Sequence, residues 1–397
     1  MTITERTRII SALGIVEIFA WGSTFYLLAV VADPIRLDTG WSAGTITTGV
    51  AIGLLVSGLA ARKIGNLIQV EGGRRVLAAG MMLIAAGLAV MGLARSTPVY
   101  FAAWAILGLG MGAGLYEAAF STLGHIYGRG ARGAITSLTL WGGFASTVCW
   151  PISAFLVATV GWRNTCFSYA VLHLTVTLPL CWFVLPRVPW PLSGASPAET
   201  PDLQSPGISA LRFWCIAAAG MTLAVLASIW SVHLITILTA EGYAFAAAVG
   251  LGTLIGPAQV GARVLEMLGR ERHHPIWTMI VATSLVLLGF LGLFLDISAS
   301  VALIAYGAGN GLWSIVRGAL PLAIFGSRDY ARIMGRLATP MLISAAAAPM
   351  LGAFLIERYG PHGTLLVLTI AATIPCAAAL VLWLDLGKER SGLPDTP

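Results

Sequence analysis

Apolar runs about as long as a membrane crossing alternate with short polar segments through nearly the whole chain. A spanning α-helix needs about 20 apolar residues, and these runs meet that length. They predict twelve spans, at residues 8–31, 43–64, 76–94, 98–124, 134–159, 165–185, 210–238, 244–266, 276–295, 299–325, 333–357 and 363–384. The predicted fold class is therefore an all-α integral membrane protein with twelve transmembrane helices.

One long polar segment, residues 186–207, interrupts this pattern at the centre of the chain. It contains Pro186, Pro189, Pro191, Pro197, Pro201 and Pro206. Prolines at this density forbid a continuous helix and favour an extended, solvated backbone. The predicted domains are an N-terminal six-helix half (1–185), a linker (186–207) and a C-terminal six-helix half (208–397).

The composition supports a membrane protein and excludes a large soluble domain. Hydrophobic residues make up 57% of the chain and charged residues 10%, and the mean hydropathy is +0.86. Soluble domains carry about 25% charged residues, which they need to cover their surface. A lipid bilayer is therefore the predicted environment of most of the chain.

The basic residues predict the orientation, because cytoplasmic loops are enriched in Lys and Arg. Most of the 23 basic residues fall on one side of the predicted spans, whereas the loops on the other side hold Arg36, Arg95, Arg163 and Arg358. Both termini and the linker are thus predicted to be cytoplasmic. This asymmetry explains the net charge of +6 without a nucleic-acid partner.

Signatures of enzymes and of metal or cofactor sites are missing from the sequence. HExxH, GxxxxGK[ST] and G-x-S-x-G do not occur, so the chain is not predicted to be an enzyme and no cofactor is expected. The five cysteines all lie in apolar runs, and no CxxC pair occurs. They are interpreted as small buried hydrophobic residues, with a thiol site for a soft metal or metalloid as the alternative.

The two halves repeat each other. Predicted span 4 has Gly108, Gly110, Gly112 and Gly114 before an aromatic residue, and span 10 has Gly307, Gly309 and Gly311 before another. We interpret these glycines as helix-packing positions and the repeat as an internal duplication. Six-plus-six repeats are typical of transporters, whose substrate site lies near the bilayer midplane between the halves.

The segment 65–76, GNLIQVEGGRRV, resembles a loop motif of the major facilitator superfamily. The residues that fit are Gly65, Leu67, Gly72, Arg74, Arg75 and Val76. Gly161, Trp162 and Arg163 resemble a second common feature, and residues 261–270 are a degenerate echo of the loop motif. The resemblance implies a monomeric carrier of the bacterial cytoplasmic membrane, similar to monocarboxylate and oxalate–formate exchangers.

Two departures from the family pattern alter the expected gate. Gln69 stands where the motif has Asp, and Val70 where it has a basic residue. In the family that Asp helps to hold the cytoplasmic side closed, so the closure is expected to be weaker here. An Asp at position 69 is expected to strengthen it through Arg74, Arg332 or Arg336. The predicted gating loop comprises Gly65, Gln69, Gly72, Arg74 and Arg75.

Ionisable side chains inside spans cost about 2.5–3.5 kcal/mol each on insertion scales, so they are functional candidates. They are Glu17, Glu117, His173, His233 and Arg317. The predicted substrate-binding residues are Arg317, Glu117, Tyr116, Asn310, Trp313, Trp21 and His233. The predicted proton carriers are Glu17 and Glu117. The alternatives are a structural Glu117–Arg317 ion pair, a neutral hydrogen-bonded Glu17, interfacial packing of His233 and a structural His173.

These features together predict secondary active transport of a small organic anion by alternating access, with proton coupling or exchange for a counter-solute. Two alternatives stay open at this stage. One is proton-driven efflux of a drug or toxic metalloid; Gly142, Gly143 and Pro151 only loosely resemble the drug–proton antiporter motif. The other is a membrane receptor with a transporter-like fold and no turnover.

Overall fold

The computed structural model describes residues 3–187, 209–269 and 272–391. Most of the predicted linker and Arg270 lie outside these ranges. The described ranges contain fourteen α-helices: α1 (Ile3–Ser23), α2 (Leu28–Thr39), α3 (Ala43–Glu71), α4 (Gly73–Leu93), α5 (Thr97–Gly114), α6 (Tyr116–Tyr127), α7 (Ala131–Gly143), α8 (Ala145–Leu172), α9 (Ala210–Ala240), α10 (Phe245–Gly252), α11 (Ile255–Leu268), α12 (Pro275–Phe294), α13 (Ala299–Phe325) and α14 (Tyr330–Ser391). A 3₁₀ turn (Gly128–Gly130) follows α6, and π-helical turns (His173–Thr177 and Leu180–Val184) follow α8.

These helices form the twelve predicted spans. The described residues contain nine apolar helical stretches long enough to cross a membrane. Two of them, Thr97–Val184 and Tyr330–Lys388, have 88 and 59 residues, far more than the roughly 20 of one crossing. The first holds spans 4, 5 and 6, and the second holds spans 11 and 12, so the prediction of a twelve-span all-α membrane protein is confirmed.

Two glycines bend the chain between consecutive spans. Gly161 inside α8 has φ 79° and ψ 164°, and Gly360 inside α14 has φ 71° and ψ 171°. This backbone region is essentially restricted to glycine. The two bends occupy equivalent places in the two halves, between spans 5 and 6 and between spans 11 and 12, as the internal duplication predicts.

The chain divides into two compact units. The first comprises Met1–Pro191 together with Gly326–Ala346, and the second comprises Leu192–Phe325 together with Ala347–Pro397. The first unit thus includes the beginning of α14, which comes from the second half of the sequence. The domain boundaries predicted above stay a prediction.

Within the first unit, α5 packs closely between α3 and α4 because its glycines carry no side chains. A methyl group at Gly108 would meet the backbone of Gly53 in α3, and one at Gly110 would meet Ile84 and Gly80 in α4. Small residues allow helix backbones to approach this closely. The packing role that the sequence predicts for these glycines is confirmed.

Within the second unit, α13 is packed in the same manner between α11 and α12. A methyl group at Gly307 would meet the Ile255 carbonyl at the start of α11, and one at Gly309 would meet the Ala282 carbonyl of α12. The glycine-rich helix of each half is therefore packed closely against two neighbouring helices. This packing fixes the position along the span of the residues that follow the glycines.

Candidate functional site

The helix of span 4 is broken at the position where its candidate residues begin. Leu115 has an extended backbone (φ −95°, ψ −171°) between α5, which ends at Gly114, and α6, which starts at Tyr116. Glu117 therefore lies in the first turn of α6 and is partly buried. A helix N-terminus exposes N–H groups and carries partial positive charge, so it is a favourable position for a carboxylate.

Aromatic side chains surround this break. The ring of Tyr116 lies 5.3 Å from the ring of Trp21 and stacks on Phe120 at 5.1 Å. The hydroxyl of Tyr116 donates to the carbonyl of Thr139 at 3.3 Å. The structure therefore brings together Trp21 and Tyr116, two of the predicted binding residues.

A second break, in span 1, extends the aromatic cluster. Helix α1 ends at Ser23, and the rings of Phe25 and Tyr26 follow this end. The ring of Trp21, in the last turn of α1, lies 5.8 Å from the ring of Phe25 and 6.1 Å from the ring of Tyr26. The indole N–H of Trp150 donates to the Tyr26 carbonyl at 3.2 Å. We call the following six residues the aromatic wall: Trp21, Phe25, Tyr26, Tyr116, Phe120 and Trp150. The indole nitrogen of Trp21 is buried and has no hydrogen-bond partner among the described residues.

The sequence analysis missed four members of the aromatic wall. Phe25 and Tyr26 closely follow Trp21 in predicted span 1, and Trp150 directly precedes Pro151 in predicted span 5. Their clustering depends on the break after Ser23, which apolar periodicity does not reveal. The density of aromatic residues in these spans was the available signal.

The two candidate proton carriers have different surroundings. Glu17 is fully buried (0% exposed) on α1, which packs against the π-helical turn Leu180–Val184, and its carboxyl lies within electrostatic range of Cys181. Glu117, by contrast, is partly exposed at the start of α6 beside the aromatic wall. Glu117 directly follows Tyr116 of the aromatic wall, and Glu17 precedes Trp21 by four residues on α1.

His173 joins span 6 to span 1 and is fully buried. Its Nε2 lies 2.7 Å from the Ser23 hydroxyl and its Nδ1 lies 2.8 Å from the Thr177 hydroxyl. Both ring nitrogens are thus satisfied by neutral partners. This geometry supports the structural interpretation of His173.

In the second unit, three predicted binding residues share one face of α13. Asn310, Trp313 and Arg317 are spaced by three and four residues, which places them in a row along the helix. Trp313 is buried, whereas Asn310 and Arg317 are partly buried. The side chain of Asn310 makes no hydrogen bond to another described residue. Unlike span 4, α13 continues unbroken through this region.

His233 is engaged in helix packing. Its Nε2 lies 3.1 Å from the carbonyl oxygen of Pro349, and a methyl group at Gly352 would meet its ring. One ring nitrogen is therefore used between α9 and α14 of the second unit. Its role as a substrate ligand stays a prediction.

Arg263, in the last two turns of α11, is a buried cation that the sequence analysis did not single out. The residue is 5% exposed, and its Nε donates to the Gly311 carbonyl at 3.2 Å while an η nitrogen reaches the Gln259 side chain at 3.4 Å. Arg263 lies more than a turn before α11 ends, and the absence of a side chain at Gly311 leaves that carbonyl accessible.

The predicted gating residues lie at the end of α3 (Gly65 and Gln69), at the junction (Gly72) and at the start of α4 (Arg74 and Arg75). Gly72, with φ 79°, separates the two helices. The side-chain amide of Gln69 donates to the backbone carbonyl of Arg328 at 2.7 Å. Of its expected partners, Arg332 pairs with Asp329 at 3.2 Å, and Arg74 lies over the ring of Trp182 at 4.8 Å.

The hydrogen bond of Gln69 argues against the expectation that an Asp at position 69 would strengthen the closure, and that expectation stays a prediction. The partner of Gln69 is a carbonyl oxygen, which only accepts hydrogen bonds, and an ionised Asp has no proton to donate. The carboxylate that the loop motif lacks is instead present at Asp329, on the facing segment.

Three glycines bring α3 and the beginning of α14 into backbone contact. A methyl group at Gly65 would meet the Ala331 carbonyl and Gly335, one at Gly335 would meet the Ala61 carbonyl, and one at Gly58 would meet Ile343. We call Gly58, Gly65 and Gly335 the glycine seam. The bond between Gln69 and the Arg328 carbonyl lies at its end.

The sequence model of the Major Facilitator Superfamily matches residues 13–315. The chain belongs to this superfamily. Members of the family are transporters and not enzymes, so the chain is a multi-pass membrane protein with a transporter fold. A comparison with curated protein sequences finds no match.

Solved structures share the superfamily fold with this chain over nearly its whole length. The human organic anion transporter MFSD10 (TETRAN) matches with a TM-score of 0.74 and 15% identity, covering 94% of this chain and 99% of that one. The proton:xylose symporter XylE matches with a TM-score of 0.72 and 14% identity, covering 96% of each chain. The fucose:proton symporter FucP of E. coli matches with a TM-score of 0.70 and 13% identity, covering 94% of this chain and 98% of that one. At these identities the likeness shows the fold.

Proposed function

We propose that the protein is a secondary active transporter of a small organic anion, working by alternating access and coupled to proton movement. The observation that carries the proposal is the row on α13, where Arg317 and Asn310 are partly buried inside a membrane span. A cation at membrane depth is costly to keep. A guanidinium offers two parallel N–H groups that fit a carboxylate.

The aromatic wall of the first unit is proposed as a binding surface for organic molecules. Trp21 and Tyr116 supply flat apolar surface, and the buried indole N–H of Trp21 is a donor for a substrate oxygen. Polar groups at a few fixed positions in an otherwise aromatic surface are typical of small-molecule sites.

Glu117 is proposed as the proton carrier. It adjoins the aromatic wall and is partly exposed, so a proton has a route to it and its charge can respond to the bound substrate. Glu17 is enclosed between α1 and span 6, which supports a structural role for that carboxyl.

The structural neighbours are consistent with this proposal. One is described as an organic anion transporter and two as proton symporters of sugars. Their shared fold supports a small-molecule substrate and a coupled proton or counter-solute. We further propose that the protein acts as a monomer in a bacterial cytoplasmic membrane with both termini in the cytoplasm, as its basic residues predict.

The test is transport by purified protein in proteoliposomes. Labelled mono- and dicarboxylates are offered with and without a pH gradient, and neutral sugars of similar size are the comparison. We expect accumulation of at least one carboxylate, increased by the gradient. Transport of sugars alone would refute the anionic substrate, gradient-independent uptake would refute proton coupling, and saturable binding without transport would indicate a receptor.

Proton-driven efflux of an aromatic drug is the second candidate, and the aromatic wall favours it. Trp150 is 46% exposed and offers a ring to a flat organic cation or neutral molecule. Loading the proteoliposomes with a fluorescent drug and imposing a pH gradient separates the two functions. A metalloid substrate lacks such support, because the described residues contain no group of three His, Cys, Asp or Glu side chains arranged to hold a metal ion.

A further inference from the structure

A cavity of about 430 Å³ lies beside the gating loop in the first unit. It is bounded by the junction of α3 and α4, by the last turns of α6 and by the end of span 6. Arg74, Arg75 and Arg187 all contribute to its lining. Three arginines and one glutamate, Glu71, therefore give the lining of this cavity a net positive charge.

These three arginines have no carboxylate partner among the described residues. Arg74 lies over the Trp182 ring at 4.8 Å, which holds its guanidinium at the cavity wall without neutralising it. Glu71 also lines the cavity but forms no ion pair with a described arginine. The surplus of positive charge is therefore available to an anion.

The surroundings of the cavity are those of a membrane surface. Trp182 and Phe183 follow one another at the end of span 6, where Phe183 is 79% exposed, and Val70 on α3 is also exposed. Exposed aromatic and aliphatic side chains at the end of a span contact lipid, and aromatic residues concentrate at the level of the headgroups. An anion that carries acyl chains satisfies both the charges and this apolar rim.

We propose that the cavity binds the phosphate of an anionic phospholipid headgroup. The guanidinium groups of Arg74, Arg75 and Arg187 hold the phosphate oxygens, and Thr122 adds a hydroxyl to the lining. The acyl chains lie over Val70, Trp182 and Phe183. With the proposed orientation this lipid belongs to the cytoplasmic leaflet, where anionic lipids attract basic segments.

Bound lipid is measured by native mass spectrometry on the whole purified chain, supplied with equal amounts of phosphatidylglycerol and phosphatidylcholine. We expect phosphatidylglycerol to be retained preferentially. In the triple variant Arg74→Gln, Arg75→Gln, Arg187→Gln the affinity should fall about fivefold for each arginine removed. The matched control Arg8→Gln, Lys63→Gln, Arg129→Gln removes the same charge from exposed positions outside the cavity and should keep the preference.

Two single variants test the site if the triple variant does not fold. Arg187→Gln changes an exposed position at the end of span 6, and this single substitution should lower phosphatidylglycerol binding. Arg74→Lys keeps the charge but loses the planar fork and the contact with Trp182, so it should also lower binding. Equal binding in Arg74→Lys and the parent chain would overturn the proposed phosphate geometry.

Further outcomes would overturn the identification of the ligand as an anionic phospholipid. Equal loss in the cavity and control triples would show a general effect of surface charge. Competition by millimolar inorganic phosphate as effective as that by phosphatidylglycerol would show a site for free phosphate. Lipid binding that is absent in the parent chain and appears only in Glu199→Gln, Asp202→Asn would show that acidic residues of the linker take the place of the lipid. None of these measurements depends on substrate transport, so the proposed function is tested separately.

Discussion

Glu17 and Glu117 carry the same side chain in surroundings that differ. Glu17 is enclosed between α1 and span 6, whereas Glu117 stands in the first turn of α6 beside Tyr116. The sequence identified both carboxyls from their cost in a membrane, and it predicted that Trp21 and Tyr116 belong to the site. It did not distinguish the two carboxyls, because burial depends on helices far away in the chain.

The proton proposal predicts different outcomes for the two carboxyls. Glu117→Gln should abolish accumulation driven by a pH gradient while substrate exchange continues, because the amide fills the same space but takes up no proton. Glu17→Gln should keep gradient-driven accumulation. Uptake and exchange of labelled substrate in proteoliposomes provide the measurement. Normal gradient-driven accumulation in Glu117→Gln would exclude Glu117 as the carrier.

If Arg317 binds the anionic group of the substrate, even a substitution that keeps its charge should lower the substrate affinity. Arg317→Lys should weaken substrate binding by about tenfold or more, since a charge-assisted pair contributes about 1.5–3 kcal/mol and a lysine replaces the two-pronged donor by a point charge. Arg358→Lys, at an exposed position of α14, is the control. Binding is measured by substrate-dependent thermal stabilisation, and unchanged affinity in Arg317→Lys would make the residue structural.

Breaks and contacts of whole helices are the features that apolar patterning predicts least. Span 4 was predicted as one helix over 98–124, but it is broken at Leu115, a residue that favours helix. The signal was the run of alternating glycines before it, which we interpreted as packing positions. These glycines are indeed packed against α3 and α4, and α5 ends at the last of them, Gly114. A pattern of residue types does not show where such a helix stops.

The close contact at the glycine seam predicts that adding a single methyl group to one of its glycines would push α3 and the beginning of α14 apart. Gly65→Ala places that methyl against the Ala331 carbonyl, and overpacking of this kind costs about 1–3 kcal/mol. We expect spin-label distances between α3 and residues 330–346 to lengthen in a large fraction of molecules. Gly44→Ala, on the same helix, adds a methyl that meets only the Ser42 hydroxyl, at an ordinary contact distance of 3.7 Å, and should leave the distances unchanged. Unchanged distances in Gly65→Ala would show that the seam adapts.

The bond between Gln69 and the Arg328 carbonyl predicts the opposite of the family's charge rule. Gln69→Glu has the same shape but cannot donate when ionised, so it should weaken the contact by about 1 kcal/mol, and Gln69→Asp should do the same. The same pair of spin labels measures the shift. A shorter or more populated closed distance in Gln69→Asp would contradict the hydrogen-bond geometry and restore the charge rule.

At the scale of the whole molecule the duplication is expressed in backbone geometry. Gly161 and Gly360 bend the chain in nearly the same conformation in the two halves. The sequence predicted the span count, the internal repeat and the superfamily, because these follow from apolar length and from short motifs. It did not predict that residues 326–346 pack with the first half of the chain, since that depends on tertiary contacts with α3.

The two bends predict matched losses of stability. Gly161→Ala and Gly360→Ala add a methyl group that meets nothing within 4 Å, so the penalty is conformational only, about 1–3 kcal/mol each. Gly256→Ala, also without neighbours but at ordinary helical angles, is the control and should be neutral or slightly stabilising. Thermal unfolding in detergent measures all three. A destabilised Gly256→Ala with unaffected bend variants would contradict this account.

A contact made of bare backbone, such as the glycine seam, has a very short range. Long side chains stay in touch while helices separate by several ångströms, so a closure built from Lys or Arg weakens gradually. Dispersion between backbone atoms loses a quarter to a half of its strength over a gap of about 0.5–1 Å. The seam is therefore either engaged or lost, with little stability in between. A closure of this kind has two states. It stays closed under small fluctuations, and once the helices have separated no attraction acts between them until their backbones are in contact again.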